Sequence, residues 1–286
     1  MSTQAIESVL YDDWHVVADS AWLAGMPTYH TRLLGVPLEV TRAAGGACSV
    51  RRMDGGPPPA VATKYGFVWA CLGSPRQDIV HIAEAEEPDR FVVTGGSIGV
   101  AVSGLRAVEN FLDMGHFPFV HTGWLGAEPH TEVLPYDVSS SDTEVVATNC
   151  KFFQPLASPA SPDGSMVDYV YKVLRPYTVV LYKSNPLHRD RMDYIALFVQ
   201  PVDEENCVAH PLLCYMKEGM SPAILRWFMQ LIFAQDKPIL ENQYPKRLPL
   251  DPRAETPIQA DRSSIAYRRW LIGHGVAYGA IPAVAH

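Results

Sequence analysis

The sequence offers little cysteine to build on. Its five cysteines, Cys48, Cys71, Cys150, Cys207 and Cys214, are odd in number and scattered, with no C-x-x-C or C-x-H pair. That excludes a disulfide framework and a zinc site, and it fits buried thiols in a reducing compartment. Positive charge is also scarce. A formal net charge of -8, with no basic patch interleaved with aromatics, argues against a nucleic-acid or anionic-membrane surface. No run of about 18 apolar residues is present to cross a bilayer. The opening Met-Ser-Thr-Gln-Ala-Ile-Glu lacks a basic region followed by an apolar one, so a cytoplasmic location is expected. Internal repeats and low-complexity segments are missing too. What is there suffices for a sizeable core: 286 residues, 48% hydrophobic, forming one large domain or two smaller ones.

Residues 11–42 read as short strands, with Gly35 and Pro37 punctuating an apolar strand pair. Residues 43–60, with paired glycines and three successive prolines, read as a loop. Strand character returns over Lys64–Gly73. From about Ser97 a larger region begins, opened by a helix over Leu105–Gly115 with Glu109 and Asp113 among its polar positions. Five alternating stretches follow: Glu144–Phe153, Met166–Leu174, Thr178–Ser184, Asp193–Pro201 and Asn206–Met216. Their hairpin-length intervals predict an antiparallel sheet, with turn chemistry at Ser158–Ser165 and Asp203–Asn206. Ser221-Pro222 then opens a long helix through Gln243, Ser as N-cap and Pro at the first helical position, with a kink expected at Pro238.

The chemistry concentrates in Glu109-Asn-Phe-Leu-Asp113-Met-Gly-His116-Phe-Pro-Phe-Val-His121. On a continuous helix two histidines five apart project about 140° from each other. Pro118 lies between them, so the helix carrying Asp113 should end near His116 or Phe117, and His121 can turn back toward the space His116 faces. The third group is distant. Asp236 stands in a mostly apolar stretch of the long helix, where an unpaired buried carboxylate is costly and a metal would resolve it. Two neutral imidazoles and a carboxylate with positions left open are the facial triad of non-haem ferrous oxygenases.

The string Asn110-x-x-Asp113-x-x-His116-x4-His121 with a later Asp resembles the catalytic signature of Rieske-type non-haem iron oxygenase α subunits. Gln235-Asp236-Lys237, with Glu241 and Gln243, is similar to the family's third-ligand helix, and Asp261–Leu271 to its C-terminal helix. The segments around Trp14 and Leu33-Leu-Gly35, and the strand Tyr65–Trp69, resemble the first and last strands of the family's Rieske domain. Between those strands the family places C-x-H and C-x-x-H ligands for a two-iron two-sulfur cluster. Here residues 42–67 hold one cysteine, Cys48, and no histidine, so no cluster can be ligated there.

The resemblance implies an α+β fold: a helix-grip (START-like) antiparallel sheet around the long helix over residues 95–286, behind a degenerate Rieske-like β domain over residues 1–94. It implies a mononuclear ferrous ion on His116, His121 and Asp236, with dioxygen as co-substrate. Asp113, one helical turn before His116, would fix that ring and carry the electron route, with Asn110 beside it. Electrons from NADH would come through a partner bearing the 2Fe-2S cluster. Within the family the chain resembles the methylxanthine N-demethylases of caffeine catabolism, whose N7-specific component lacks its own cluster. The implied activity is hydroxylation of an N-methyl group with loss of formaldehyde, 7-methylxanthine giving xanthine. Asn149, Phe153, Tyr169, Tyr171 and Gln230 are candidates to meet a flat polar purine. Competing readings are an oxygenase of another small aromatic or O/N-methyl substrate, and a non-catalytic ligand-binding or structural helix-grip subunit. A structural partner subunit or a homo-oligomer is compatible with either.

Overall fold

The structure is a computed structural model describing residues 6–26, 28–156, 164–217 and 220–283. After a single helical turn, α1 (Ser8–Tyr11), six strands fill the N-terminal part: β1 (His15–Asp19), β2 (Thr28–Leu33), β3 (Val36–Arg42), β4 (Cys48–Arg52), β5 (Ala60–Lys64) and β6 (Phe67–Cys71). They form two three-stranded antiparallel sheets, ordered β1-β6-β5 and β2-β3-β4. The β2–β3 hairpin turns on Leu34-Gly35, both at positive φ, which a two-residue hairpin loop requires. The loop expected over residues 43–60 is only partly a loop. Cys48–Arg52 pairs with β3 as an edge strand, and the prolines that suggested a loop lie beyond its end.

The remaining strands are β7 (Arg90–Thr94), β8 (Ile98–Val100), β9 (Asp137–Ser140), β10 (Val145–Gln154), β11 (Ser165–Arg175), β12 (Thr178–Asn185), β13 (His188–Pro201) and β14 (Cys207–Met216). They make an eight-stranded sheet ordered β7-β14-β13-β12-β11-β10-β9, with β8 also on β14. The expected antiparallel hairpins are present, each within a few residues of its expected bounds. The turn expected at Ser158–Ser165 lies, up to residue 163, outside the described residues. The helices are α2 (Gly104–Leu112), α3 (Phe117–Val120), α4 (Pro222–Asn242) and α5 (Arg262–Gly273).

Both faces of the large sheet are covered. Along β12 and β13, Val180, Tyr194, Ala196 and Phe198 face a cluster containing Val16, Phe67 and Trp69, with the Trp69 and Phe198 rings edge to face at 4.8 Å. The alternate residues Val179, Leu181, Ile195 and Leu197 join the main core on the other face. There α2 packs on β13, α5 on β10 and α4 on β7. Each fully buried aliphatic side chain contributes roughly 1.5–3 kcal/mol, so two-sided burial explains why Tyr194-Ile-Ala-Leu-Phe-Val199 is continuously apolar. The sheet thus holds the helices in its concavity, the helix-grip arrangement.

Three local expectations need correction. The helix expected to reach His116 or Phe117 stops at Leu112, because Asp113 turns to extended backbone (ψ 125°) and its Oδ1 accepts from Gly115 N at 2.7 Å. Pro118 does not break a helix; it lies in the first turn of α3, where its missing N–H costs nothing. Glu109, expected at a polar position, is buried at 8% exposure. Arg268 donates to both its oxygens, at 2.6 and 3.0 Å, Arg106 donates to it at 3.2 Å, and both arginines also reach Glu255. This ion cluster ties α2 to α5. The long helix continues through Pro238 for a further turn, to Asn242.

Candidate metal centre

His116 sits just before α3 and His121 just after it, so one short helical turn brings the two rings together. Their Nε2 atoms are 3.2 Å apart. Asp236, on the buried side of α4, brings Oδ1 to 3.1 Å from His121 Nε2 and 3.3 Å from His116 Nε2. Neither approach is aligned as a hydrogen bond, which leaves Asp236 Oδ1 buried without one. Among the described residues these three form the one group of His, Cys, Asp or Glu side chains close enough to share a metal ion.

Each ring is held from behind. Asp113 Oδ2 lies 3.0 Å from His116 Nδ1, and Gln235 Oε1 lies 2.9 Å from His121 Nδ1. An acceptor at each Nδ1 keeps the proton there and turns the Nε2 lone pair inward, the usual backing of a metal-bound imidazole. With both rings neutral, two lone pairs and a carboxylate oxygen then converge with no donor among them. Separations of 3.1–3.3 Å are close to the edge of about 3.0 Å between neighbouring ligands at roughly 2.1 Å from an octahedral ion. The donor set fits a divalent cation with open positions.

Charge tells the same story. Burial disfavours an imidazolium at His116, but Asp113 and Asp236 outweigh it and hold the ring's pKa up to about 9. Burial likewise opposes ionisation of Asp236, and His116 and His121 overcome it, holding the carboxyl down at about 2. The cluster demands positive charge. Without a metal a proton on His116 supplies it, and a metal ion takes that proton's place.

The short turn of α3 is fixed by packing. A side-chain carbon on Gly126 would lie 2.6 Å from Pro118 N and 2.7 Å from Phe117 C, so only glycine lets this loop approach the α3 backbone. Phe117 packs edge to face on Phe152, with ring centroids 5.5 Å apart.

An apolar cavity lies beside the triad, between the helix-covered sheet face and α4. Phe111, Leu181, Ile195, Leu197, Phe228 and Phe233 supply apolar walls, and Asn110, Gln154, Tyr169, Tyr171, Lys183 and Tyr215 the polar groups. Of the residues singled out to meet a purine, Tyr169 and Tyr171 line this cavity. Asn149, Phe153 and Gln230 do not: Asn149 bonds Asp137, Phe153 stacks on His130 and Gln230 bonds Gly95 O. Asn110 and His116 also line a second, polar groove on the far side, with Glu109, Asp113, Glu255, Asp261 and Arg268. Sequence reasoning gave no role to Gln235, Gln154 or Lys183. The position of Gln235 beside Asp236 was the one available signal; for the other two, strand register had to be known first.

The fold is that of an oxygenase catalytic domain. The solved structure of NdmA of Pseudomonas putida CBB5 with caffeine superposes with a TM-score of 0.74 at 20% identity, over 93% of this chain and 91% of that one. Dicamba monooxygenase bound to 3,6-dichlorosalicylic acid gives 0.72 at 15%, over 93% and 97%. Residues 101–273 match the family described as vanillate O-demethylase oxygenase C-terminal domain. A protein of Pseudomonas sp. (strain TJI-51) described as a probable methylxanthine N7-demethylase, NdmC, is 46% identical over 96% of this chain and 98% of its own length. The methylxanthine N1-demethylase NdmA of Pseudomonas putida is 30% identical over 73% of this chain and 58% of its own length. The chain belongs to the Rieske-type non-haem iron oxygenases, with a catalytic domain of the vanillate O-demethylase kind. It is an enzyme of that class, whose chemistry depends on non-haem iron and dioxygen. No helix among the described residues is long and apolar enough to cross a membrane.

Proposed function

We propose that this chain removes the N-methyl group of a methylxanthine, with 7-methylxanthine giving xanthine and formaldehyde, at a ferrous ion held by His116, His121 and Asp236. The observation carrying this reading is the convergence of those three groups at the side of an apolar cavity. The chain's likeness to a probable methylxanthine N7-demethylase over nearly its whole length supports the substrate.

Iron, when bound, supplies activation of dioxygen for insertion into a methyl C–H bond. One oxygen atom enters the bond and the other leaves as water, which consumes two electrons and two protons. The resulting carbinolamine breaks its C–N bond; the ring nitrogen keeps the pair and takes a proton as formaldehyde departs. The residues of this chain bind and orient. Asp113 and Gln235 fix the two imidazoles, the apolar walls hold a flat ring and exclude water, and the cavity brings the methyl group to the triad.

Electrons enter from outside. We read residues 1–94 as a remnant Rieske domain without cluster ligands and residues 95–286 as the catalytic domain. A partner carrying a 2Fe-2S cluster and drawing on NADH would dock at the polar groove, where Asp113 is half-buried at its rim, and Asn110 would position the helix end between groove and cavity. A cytoplasmic setting fits that NADH supply. The test is anaerobic reconstitution with ferrous ion, followed by 7-methylxanthine, oxygen, NADH and a Rieske-bearing reductase. The expected result is about one iron per chain, no acid-labile sulfide, and xanthine and formaldehyde in equal amounts. Failure to retain iron would overturn the reading.

A further inference from the structure

Three polar side chains of the cavity have unused hydrogen-bonding capacity. Gln154 is 1% exposed, and one end of its amide bonds the Tyr169 hydroxyl while the other, Oε1, has no partner. If the amide is turned over, the free end becomes Nε2 and the point stands. Tyr171, also 1% exposed, has a hydroxyl without a partner. Lys183 is 5% exposed, and among the described residues no hydrogen bond or ion pair closes on its ammonium.

Strand register places them together. Lys183 pairs with Tyr169 on β11 and with Asp193 on β13, and Leu181, two residues earlier on the same face of β12, pairs with Tyr171. Asp193 is the nearest counter-charge. Its two oxygens each accept one hydrogen bond, from Met216 N at 3.1 Å and from Asn185 Nδ2 at 2.9 Å. Buried polar groups are nearly always satisfied, so the two unsatisfied groups of Gln154 and Tyr171, with the Lys183 ammonium on the same cavity wall, call for a ligand that satisfies them.

We propose that Lys183, Gln154 and Tyr171 form a polar subsite that reads the oxo and ring N–H edge of the substrate and selects methylxanthines whose six-membered ring keeps a free N–H. This rests on the methylxanthine reading above and names the groups that set its specificity. Tyr171 and Lys183 donate to ring carbonyl oxygens, and the free end of Gln154 meets a ring N–H or carbonyl. A ring N–H flanked by carbonyls is an acid, and its conjugate base spreads negative charge onto those oxygens, which an ammonium binds best. A fully N-methylated ring has neither that donor nor that anion. Burial pulls the Lys183 ammonium down to about 8, partly offset by Asp193, so the group stands to gain from an acceptor. Burial also pushes the Tyr171 hydroxyl well above its ordinary range, so it remains a donor.

The test is equilibrium binding of 7-methylxanthine and of 1,3,7-trimethylxanthine to the iron-loaded protein and to its Lys183→Met, Gln154→Leu and Tyr171→Phe variants. Wild type is expected to bind 7-methylxanthine the more tightly. Lys183→Met should lose affinity for it by on the order of 10- to 100-fold, with little change for the trimethyl compound. Tyr171→Phe removes only an unpartnered hydroxyl, so its unfolding midpoint should hold or rise while its 7-methylxanthine affinity falls; it serves where Lys183→Met fails to fold. Variants that keep the wild-type ratio of the two affinities would overturn the subsite while leaving the demethylase reading intact. A wild-type protein that binds neither probe would overturn both.

Discussion

Gln235 and Asp236 are consecutive residues of α4, yet they meet opposite nitrogens of one imidazole, Gln235 Oε1 at 2.9 Å from His121 Nδ1 and Asp236 Oδ1 at 3.1 Å from His121 Nε2. Neighbouring helical residues point about 100° apart, and the His121 ring lies in the angle between them. On the proposed ligand set, one helix would therefore supply a ligand and the brace for another. Gln235→Leu should keep the fold and weaken iron binding by about 10- to 100-fold. Ferrous titration monitored beside the unfolding midpoint checks both.

Asp236→Ala and His116→Ala should each abolish iron retention and turnover together. Either change leaves two donors of three, and Asp236→Ala also removes a buried carboxylate whose Oδ1 has no hydrogen-bond partner. Iron content after desalting decides the matter. Retention of stoichiometric iron by Asp236→Ala would remove it from the ligand set.

Asp113→Ala should behave differently. It loses the brace on His116 and the groove-side carboxylate but no ligand, so most of the iron stays and coupled turnover with the native electron donor falls. Formaldehyde formed per NADH consumed is the readout, and unchanged coupling would end the electron-route assignment.

Gly126→Ala should act through α3. The new methyl meets backbone atoms at 2.6 and 2.7 Å, which cannot swing aside as a side chain can. Overpacking of this kind costs about 1–3 kcal/mol. The displaced turn should also lower iron occupancy, measurable as iron per folded chain.

His210 makes stability depend on pH. It is 1% exposed, held between Ser97 Oγ and Gln200 Oε1, and burial pulls its pKa down from 6.5 to about 3. Between those values the unfolded chain binds a proton that the folded chain does not. Stability should therefore fall as pH drops from about 6.5 toward 3, by up to about 1.4 kcal/mol per unit. His210→Gln, which cannot titrate, should flatten that slope even if its stability at pH 7 is lower. Urea midpoints between pH 5 and 7 are the check.

Much of this was legible in the sequence because the strongest signals are local. Strands β10 to β14 announce themselves by alternation or apolar runs, and Ser221-Pro222 marks the start of α4 unambiguously. The His116–His121 spacing with Pro118 between implied converging rings, although for the wrong reason: Asp113 ends the helix, and Pro118 begins the next one. What stayed hidden depends on partners far away in the chain. Glu109 reads as a surface residue until Arg268 and Glu255 are known to close on it. Lys183 looks like an ordinary strand lysine until the register puts it on the cavity side. Cys48–Arg52 was masked by the glycines and prolines around it, since an edge strand needs only one neighbour.

The two histidines precede strands β9 to β14, and Asp236 follows them. A chain emerging from the ribosome has its imidazoles early but lacks the carboxylate until the whole sheet and most of α4 have been made. If these three groups hold the iron, incomplete chains would carry no finished ferrous site, and a redox-active ion would not be captured before the walls that shield it exist. On the proposed ligand set, an ion would bridge the segments that flank β9 to β14. Closing so long a loop costs only logarithmically more than closing a short one, whereas binding stabilises the entire fold by mass action.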